Sequence, residues 1–306
     1  MSSGYDVSGL DSLRCCNTTL LRMKDVMSVT TRGSLLLSLL LVSPLGFSSP
    51  ADGHVDPGEN SLGEMAKTAQ NPVSAMISVP FQNNTNFNVG PEEETQNILN
   101  IQPVIPFNLN ENWNLITRTI IPVISQPKFA PGQDRENGIG DVQFSAFLSP
   151  IKPASGGWIW GAGPIAQLDT STDDRLGSER WGLGPSAVVL RPDGAWVYGA
   201  LINNVFDVGG DDDRDDINQM LIQPFVNYNF PEKPGRYLTF APIITANWEA
   251  DSGDQWTVPL GGGIGQIIKW GKTPVNLQAS AYYNVESPEN GADWQMRLQV
   301  QFLFPK

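Results

Sequence analysis

The amino-acid sequence predicts an all-β fold: a transmembrane antiparallel β-barrel of about 12 strands, with a short N-terminal periplasmic segment. Three observations predict it: segments in which apolar and polar residues alternate, connections that are alternately long and short, and tryptophans that stand near segment ends. Only 17% of the 306 residues are charged. No apolar run reaches the roughly 20 residues that a membrane-spanning helix needs, so an α-helical membrane protein is excluded.

The alternation is clearest in the last segment, where one face is apolar and the other carries Gln and Arg. Its apolar residues are Trp294, Met296, Leu298, Val300, Phe302 and Phe304, and its polar residues are Gln295, Arg297, Gln299 and Gln301. Strands of globular proteins usually have about 5–6 residues, whereas a tilted strand crosses a bilayer with about 9–11. The length of these segments and their even number therefore favour a membrane barrel over a soluble sandwich. They are residues 73–87, 97–109, 113–124, 139–149, 157–168, 181–191, 195–206, 217–230, 236–248, 256–268, 273–285 and 293–304.

The connections between these segments are of two kinds. The six odd-to-even connections are long and have a summed formal charge of −16, whereas the five even-to-odd turns, with their flanking basic residues, have a summed charge of about +3. Outer-membrane barrels have long extracellular loops and short periplasmic turns. We therefore expect both termini on the periplasmic side and an acidic vestibule outside. The most acidic connection contributes Asp211, Asp212, Asp213, Asp215 and Asp216 to that vestibule.

Tryptophan placement is an independent indication of a membrane barrel. Indole rings prefer the headgroup level, where the ring is apolar and the N–H stays hydrated. Eight of the nine tryptophans lie at or within two residues of a segment end, and only Trp160 lies further in. The eight are Trp113, Trp158, Trp181, Trp196, Trp248, Trp256, Trp270 and Trp294.

The N-terminal region has the order of a secretory signal: basic residues, an apolar run, then small residues. The run extends from Leu35 to Leu45, follows Lys24 and Arg32, and leads to a cleavage site that we place after Ala51. Residues 1–51 are therefore expected to be an N-terminal extension and signal peptide. Both cysteines precede this site, so we expect an exported chain without disulfides or a lipid anchor.

Residues 52–71 form the predicted periplasmic segment, and residues 72–306 form the predicted barrel. Ser61 and Glu64 have the spacing of a capping box, which predicts a short helix of about two turns in an otherwise unstructured tail.

Prolines lie inside several predicted strands, where each removes a backbone donor from the hydrogen-bond ladder. β-Bulges that curve the barrel wall would accommodate them. These prolines are Pro103, Pro122, Pro164, Pro185, Pro224, Pro242 and Pro259.

Several short motifs are clustered in the first half of the predicted barrel. They are Ala66–Val73 (AKTAQNPV), Ile77–Phe87 (ISVPFQNNTNF), Gln102–Pro106 (QPVIP), Gly138–Gln143 (GIGDVQ), Trp158–Pro164 (WIWGAGP) and Gly182–Pro185 (GLGP). With these motifs, residues 64–304 resemble a bacterial outer-membrane β-barrel family related to the barrels of the MetA pathway of phenol degradation. Members of that family are often labelled transporters or mislabelled neuromedin U. The resemblance implies an outer-membrane barrel with a transport function, and it supplies neither a substrate nor catalytic residues.

Enzyme chemistry and metal binding find little support in the sequence. The only histidine, His54, lies in the N-terminal segment, so no Ser-His hydrolase or histidine-based metal site is expected on the barrel. The acidic run 211–216 lacks the Gly and the terminal Glu of an EF-hand loop. It is interpreted as a solvated loop. The alternative is that the loop weakly binds divalent cations, which would bridge it to lipopolysaccharide phosphates. No catalytic residue, cofactor or metal is predicted.

The inward-facing polar residues are the best candidates for a functional surface. Buried Arg and Asp must be paired or hydrated, so this set either lines a water path or plugs a narrow lumen through mutual hydrogen bonds. A barrel of about 12 strands leaves less interior space than the channels of 16–18-stranded porins. The set is Asn114, Arg118, Asp141, Gln143, Gln278, Gln295, Arg297, Gln299 and Gln301.

The sequence thus predicts an outer-membrane channel for passive or facilitated passage of small solutes, weakly cation-selective through its acidic loops. The alternative is a non-conducting structural or adhesive barrel that acts through its loops. The Gln and Asn lining favours polar solutes, whereas the family resemblance points to small aromatic or apolar compounds, and both stay open. Expected partners are outer-membrane lipid and lipopolysaccharide, the barrel-assembly machinery and a small-molecule solute. A net charge of −13 excludes nucleic acid.

Overall fold

The computed structural model describes residues 57–305, and the predicted signal peptide lies outside this range. Within the range the chain begins with α1 (Pro57–Ala69) and continues as one antiparallel sheet, with a single 3₁₀ turn at Ser155–Gly157. None of its helices has both the length and the apolar character needed to cross a membrane.

Twelve strands follow the helix, and three of them are interrupted. The continuous strands are β1 (Ile77–Val89), β3 (Trp113–Gln126), β5 (Ile159–Leu168), β6 (Arg180–Asp193), β7 (Trp196–Gly210), β8 (Asn218–Asn229), β10 (Trp256–Trp270), β11 (Thr273–Glu286) and β12 (Trp294–Phe304). The interrupted strands are β2 (Glu94–Ile101 and Val104–Asn108), β4 (Glu136–Ile139 and Val142–Pro150) and β9 (Arg236–Phe240 and Ile244–Asn247).

The sheet closes on itself. Each strand pairs with its neighbours along the chain, and β1 pairs with β12 in a register that runs from Ile77 opposite Phe304 to Phe87 opposite Trp294. A closed sheet has no free edge, so the backbone groups of the wall are satisfied by neighbouring strands, as hydrocarbon surroundings require. The structure confirms the predicted closed antiparallel barrel of twelve strands.

Two of the three interruptions coincide with prolines that the sequence placed inside strands. Pro103 lies in the break of β2, and Pro242 lies in the break of β9. A third proline, Pro259, follows a register shift between β10 and β11. Because proline has no N–H, these positions cannot donate to the ladder. Pro164 and Pro185 instead stand opposite each other in an unshifted register, so a bulge is not needed at every proline.

The two ends of the barrel differ. We call the end with the short connections, such as 194–195 and 271–272, the inner end, and the end with the long connections, such as 169–179 and 211–217, the outer end. Long loops of outer-membrane barrels face the outside of the cell and short turns face the periplasm.

Aromatic side chains gather in two belts, one near each end. Edge-to-face or tilted pairs have ring centroids about 5–6 Å apart, the geometry in which aromatic rings attract each other. The inner belt contains the pairs Trp113–Trp160, Trp158–Tyr198 and Trp196–Tyr228, and the outer belt contains Trp248–Trp256 and Tyr283–Trp294. The belts are the girdles that the tryptophan pattern predicted.

The chain before β1 lies inside the inner end of the barrel. Ala66 and Met76 form a buried cluster with Tyr237, Ile267 and Leu303, whose side chains point into the lumen. These residues join α1 and the segment after it to the barrel wall, so the N-terminal segment is packed rather than free.

This packing corrects two sequence boundaries. The helix begins at Pro57 rather than at Ser61 and is longer than two turns, and β1 begins at Ile77 rather than at residue 73. The apolar residues Val73 and Met76 extend the alternation of β1 in the sequence, but both are buried against the lumen wall. The alternation of apolar and polar residues therefore also includes residues that precede the true start of the strand.

Candidate functional site: the lumen

Two cavities lie inside the barrel among the described residues. The outer cavity has a volume of about 620 Å³ and lies under the loops 248–255 and 287–293. The inner cavity has a volume of about 150 Å³ and lies between the wall and the N-terminal residues Gln70, Asn71 and Ser74. The two cavities share no lining residue. The N-terminal segment therefore narrows the inner half of the lumen.

The outer cavity has a mixed lining with acidic groups. Apolar side chains such as Leu221 alternate with the amides of Gln143, Asn203 and Gln219, and the only charged residues of the described lining are Asp254 and Glu289. The backbone N–H of Glu289 donates to Asp254 Oδ1 at 2.7 Å, which ties the two outer loops together. This arrangement gives the cavity a negative potential.

Below the outer loops, a chain of hydrogen-bonded side chains crosses four strands of the wall. Arg297 Nη2 donates to Gln295 Oε1 at 2.9 Å, and Gln295 Nε2 donates to Asn86 Oδ1 at 3.0 Å. Asn86 Nδ2 donates to Gln96 Oε1 at 2.7 Å, and Gln96 Nε2 donates to Gln126 Oε1 at 2.6 Å. The polar alternation of β12, β1, β2 and β3 thus becomes a connected polar belt inside the barrel.

Arg297 is held at one end of this belt and is only 2% exposed. Besides Gln295, its guanidinium donates to Asn84 Oδ1 at 3.1 Å and to the carbonyl oxygen of Ala241 at 3.0 Å. Ala241 lies in the break of β9, which frees that carbonyl from the ladder. The guanidinium also lies 4.8 Å from the centre of the Tyr282 ring, in cation–π geometry. Each of the three guanidinium nitrogens of Arg297 thus donates a hydrogen bond to the wall.

The opposite side of the lumen is apolar. Seven inward-facing side chains pack with Val73 of the N-terminal segment into a buried cluster: Ile116, Phe147, Val188, Leu190, Val197, Leu201 and Phe225. Sequence alternation does not reveal them, because runs such as Ala187–Leu190 are apolar on both faces. The lumen is therefore amphipathic: the polar belt lies on β12 and β1–β3, and the buried apolar cluster lies on β3, β4 and β6–β8.

The structure distributes the predicted lumen residues over several places. Arg118, Gln299 and Gln301 line the inner cavity, and Gln143 lines the outer cavity. Gln295 and Arg297 belong to the polar belt, and Gln278 accepts a hydrogen bond from the Tyr237 hydroxyl at 3.2 Å. Asn114 is 9% exposed and accepts a weak hydrogen bond from Asn108 at 3.4 Å.

Asp141 has a different environment from the other predicted residues. It lies in the break of β4, where its Oδ2 accepts hydrogen bonds from the backbone N–H and the hydroxyl of Ser178, both at 2.7 Å. Ser178 belongs to the long connection 169–179, so Asp141 anchors that loop at the outer rim. In the same loop Arg175 donates to Asp173 at 3.0 Å, which lowers the pKa of the Asp173 carboxyl and keeps it ionised.

The acidic connection after β7 folds around a buried arginine that sequence reasoning missed. Arg180, at the start of β6, binds both carboxylate oxygens of Asp207, with distances of 2.6 and 2.8 Å, and one oxygen of Asp216 at 2.6 Å. Its Nη1 also donates to the carbonyl oxygen of Asp211 at 2.7 Å. Arg180 is only 6% exposed, so these contacts fix the loop to the barrel rim.

The remaining acids of this connection, Asp212, Asp213 and Asp215, are exposed to solvent. Arg214 turns away from them and donates to the carbonyl oxygens of Asp174 and Gly177, both at 2.9 Å. Among the described residues, no group of three or more His, Cys, Asp or Glu side chains is arranged to hold a metal ion.

Comparison with solved structures finds similar barrels. The COG4313 outer membrane channel from Pseudomonas putida F1 is similar with a TM-score of 0.58 and 17% sequence identity, over 76% of this chain and 97% of that chain. The β domain of the Bordetella autotransporter BrkA has a TM-score of 0.45 and 10% identity, over 76% of this chain and 100% of that one. Outer membrane phospholipase A from Escherichia coli has a TM-score of 0.40 and 14% identity, over 79% and 98%.

Comparison of the sequence with protein-family models and with curated proteins finds no match. The likeness to the Pseudomonas channel therefore concerns the fold. A closed barrel of twelve strands, an outward face with many exposed apolar side chains, two aromatic girdles and this likeness of fold lead to one conclusion. The protein is a β-barrel of the bacterial outer membrane.

Proposed function

We propose that the protein lets small solutes cross the outer membrane passively or by facilitated diffusion, without catalysis, and with a weak preference for cations. The observation that carries the proposal is the outer cavity of about 620 Å³, whose described lining has several side-chain amides, two carboxylates and no basic residue. Carboxylates at a mouth with low-dielectric walls concentrate cations and repel anions. Expected partners are outer-membrane lipid, lipopolysaccharide, the barrel-assembly machinery and the solute.

The preference is weak because charges of both signs lie along the path. The exposed acids of the outer loops favour cations, whereas Arg118 and Arg297 lie deeper on the polar wall and favour anions. Asp141 was predicted to lie on the same lining as these arginines, but its carboxylate accepts a hydrogen bond from Ser178 at the outer rim. The selectivity should therefore fall as salt rises, because the screening length is about 10 Å at 0.1 M.

The test is the reversal potential in planar bilayers under a salt gradient. We expect a potential of the cation-selective sign, which moves towards zero when Asp212, Asp213 and Asp215 are replaced with Asn. These three acids are chosen because they are exposed and make at most a long contact with Arg180, 3.9 Å for Asp212, whereas Asp216 binds Arg180 at 2.6 Å. The matched control replaces the exposed acids Glu111 and Glu232 of the inner turns with Gln, and it should change the potential less.

Two results would contradict the proposed selectivity. One is an anion-selective potential in the parent protein. The other is an equal shift in the outer-loop and inner-turn variants, because the outer acids would then have no special position on the ion path.

The alternative function is a non-conducting structural or adhesive barrel. It is favoured by the N-terminal segment that fills the inner half of the lumen and by the outer loops that Arg180 and Asp141 hold in place. The sequence argues against a Ser-His hydrolase, since its only histidine is His54 in the N-terminal segment.

A further inference from the structure

Arg118 differs from the buried arginines Arg180 and Arg297, because it is partly exposed to a cavity. It lies on β3 with its side chain in the inner cavity, and the one hydrogen bond that its guanidinium makes to the described residues joins Nη2 to Gln102 Oε1 at 2.6 Å. A guanidinium carries five N–H donors, so most of them are left to the cavity. Arg297 and Arg180, by contrast, each bind three or more acceptors.

The charge of Arg118 is not balanced by the cavity. Among the described residues that line it, Arg118 is the only charged one, and the others include the side chains of Gln82, Gln223, Gln299 and Ser78. Water can fill free donor sites, but it does not neutralise the charge. The described lining therefore leaves the positive charge of Arg118 without a counter-charge.

The volume of the cavity and its hydrogen-bond donors indicate which kind of anion would fit beside Arg118. A cavity of about 150 Å³ is large enough for a molecule the size of benzene. The guanidinium matches a planar carboxylate, which can accept two parallel N–H bonds. Amide and hydroxyl groups around it can bond the rest of a short polar acid. We propose that Arg118 and the inner cavity form a binding site for a small monocarboxylate. The proposal goes beyond the channel function, since the site can bind its ligand whether or not the barrel conducts.

The test measures equilibrium binding to the folded full-length barrel in uncharged detergent, by ligand-observed NMR. The probes are acetate and acetamide, which have nearly the same shape and differ in charge. Acetate should bind at least about tenfold more tightly than acetamide, because hydrogen bonds to a charged group are the stronger ones. Chloride at equal ionic strength should compete more weakly than a second carboxylate, lactate.

Three variants test whether acetate binds at Arg118. Arg118→Gln should weaken acetate binding about tenfold or more, and Arg118→Lys should be intermediate because it keeps the charge and loses the planar fork. The matched control is Arg191→Gln, which removes a positive charge from the outer face of β6, where Arg191 pairs with Asp193. It should bind acetate like the parent protein.

Acetate that binds no better than acetamide would overturn the proposal. So would equal acetate affinity in the parent and in Arg118→Gln, or equal affinity in the parent and in Arg118→Lys if the Gln variant does not fold. These outcomes are independent of conductance, so the carboxylate site and the channel function can fail separately.

Discussion

A chain that lacks residues 57–74 is expected to conduct ions severalfold better than the parent protein in planar bilayers. These residues contain α1 and the segment whose Val73 packs against the apolar wall, and they close off the inner cavity. Their removal would join the inner cavity to the periplasm and widen the narrowest part of the path. Resistance rises steeply where a pore is narrow, so the inner half should dominate the conductance of the parent.

A point variant provides the matched control for this deletion. Lys67→Gln removes the ion pair with Glu64 on α1, of 3.2 Å, but leaves the apolar contacts of Ala66 and Met76 and the lining of the inner cavity in place. It should conduct like the parent. Heat-modifiable gel mobility would show that both barrels are folded. A folded deletion variant with unchanged conductance would mean that the N-terminal segment does not limit the path.

Replacing Arg180 with Met is expected to destabilise the outer loops of the barrel. The change leaves the half-buried carboxylate of Asp207 without its partner, and a carboxylate that loses its ion-pair partner in a partly desolvated site is destabilising. The effect of losing the contact to Asp216 should be smaller, because the side chain of Asp216 is 66% exposed and can be hydrated. The connections 169–179 and 211–217 should then exchange backbone amide hydrogens faster, while the strands should keep their protection.

The control is Arg191→Met, which removes an arginine that pairs with Asp193 at 3.4 Å away from the outer loops. An exposed pair contributes about 0–1 kcal/mol, so this variant should have nearly the parent's stability. Adding Asp207→Asn to Arg180→Met should recover part of the lost stability, because it removes the carboxylate that has no partner. Equal exchange rates of the outer loops in the Arg180 and Arg191 variants would argue against Arg180 as the support of these loops.

The strands and the closed barrel could be predicted because a lipid environment requires long strands and a sheet without free edges. A wall in hydrocarbon needs long apolar faces and paired backbone groups, and both requirements leave a period of two in the sequence. Strand boundaries could not be predicted as well. Val73 continues the alternation although it packs inside the lumen, and Pro103 interrupts β2 where the sequence suggests one continuous strand.

The interior was harder to predict than the wall. Alternation indicates which residues face inward, but it does not indicate which inward residues meet across the barrel. Arg118 and Arg297 look alike in the sequence. In the structure the guanidinium of Arg297 donates hydrogen bonds to Ala241 and Asn84, whereas that of Arg118 faces a cavity. That difference depends on the break in β9 and on the path of the N-terminal segment, which are properties of the whole fold.

The most direct test of the central claim is solute passage through the purified parent barrel in liposomes. The account predicts measurable swelling with the smallest neutral sugars, a rate that falls steeply with solute size, and small single-channel conductance in planar bilayers. The steep fall reflects the inner cavity of about 150 Å³, which limits the path more than the outer one. A folded barrel that neither swells liposomes with any small solute nor conducts ions would contradict the channel function and would leave the structural or adhesive barrel.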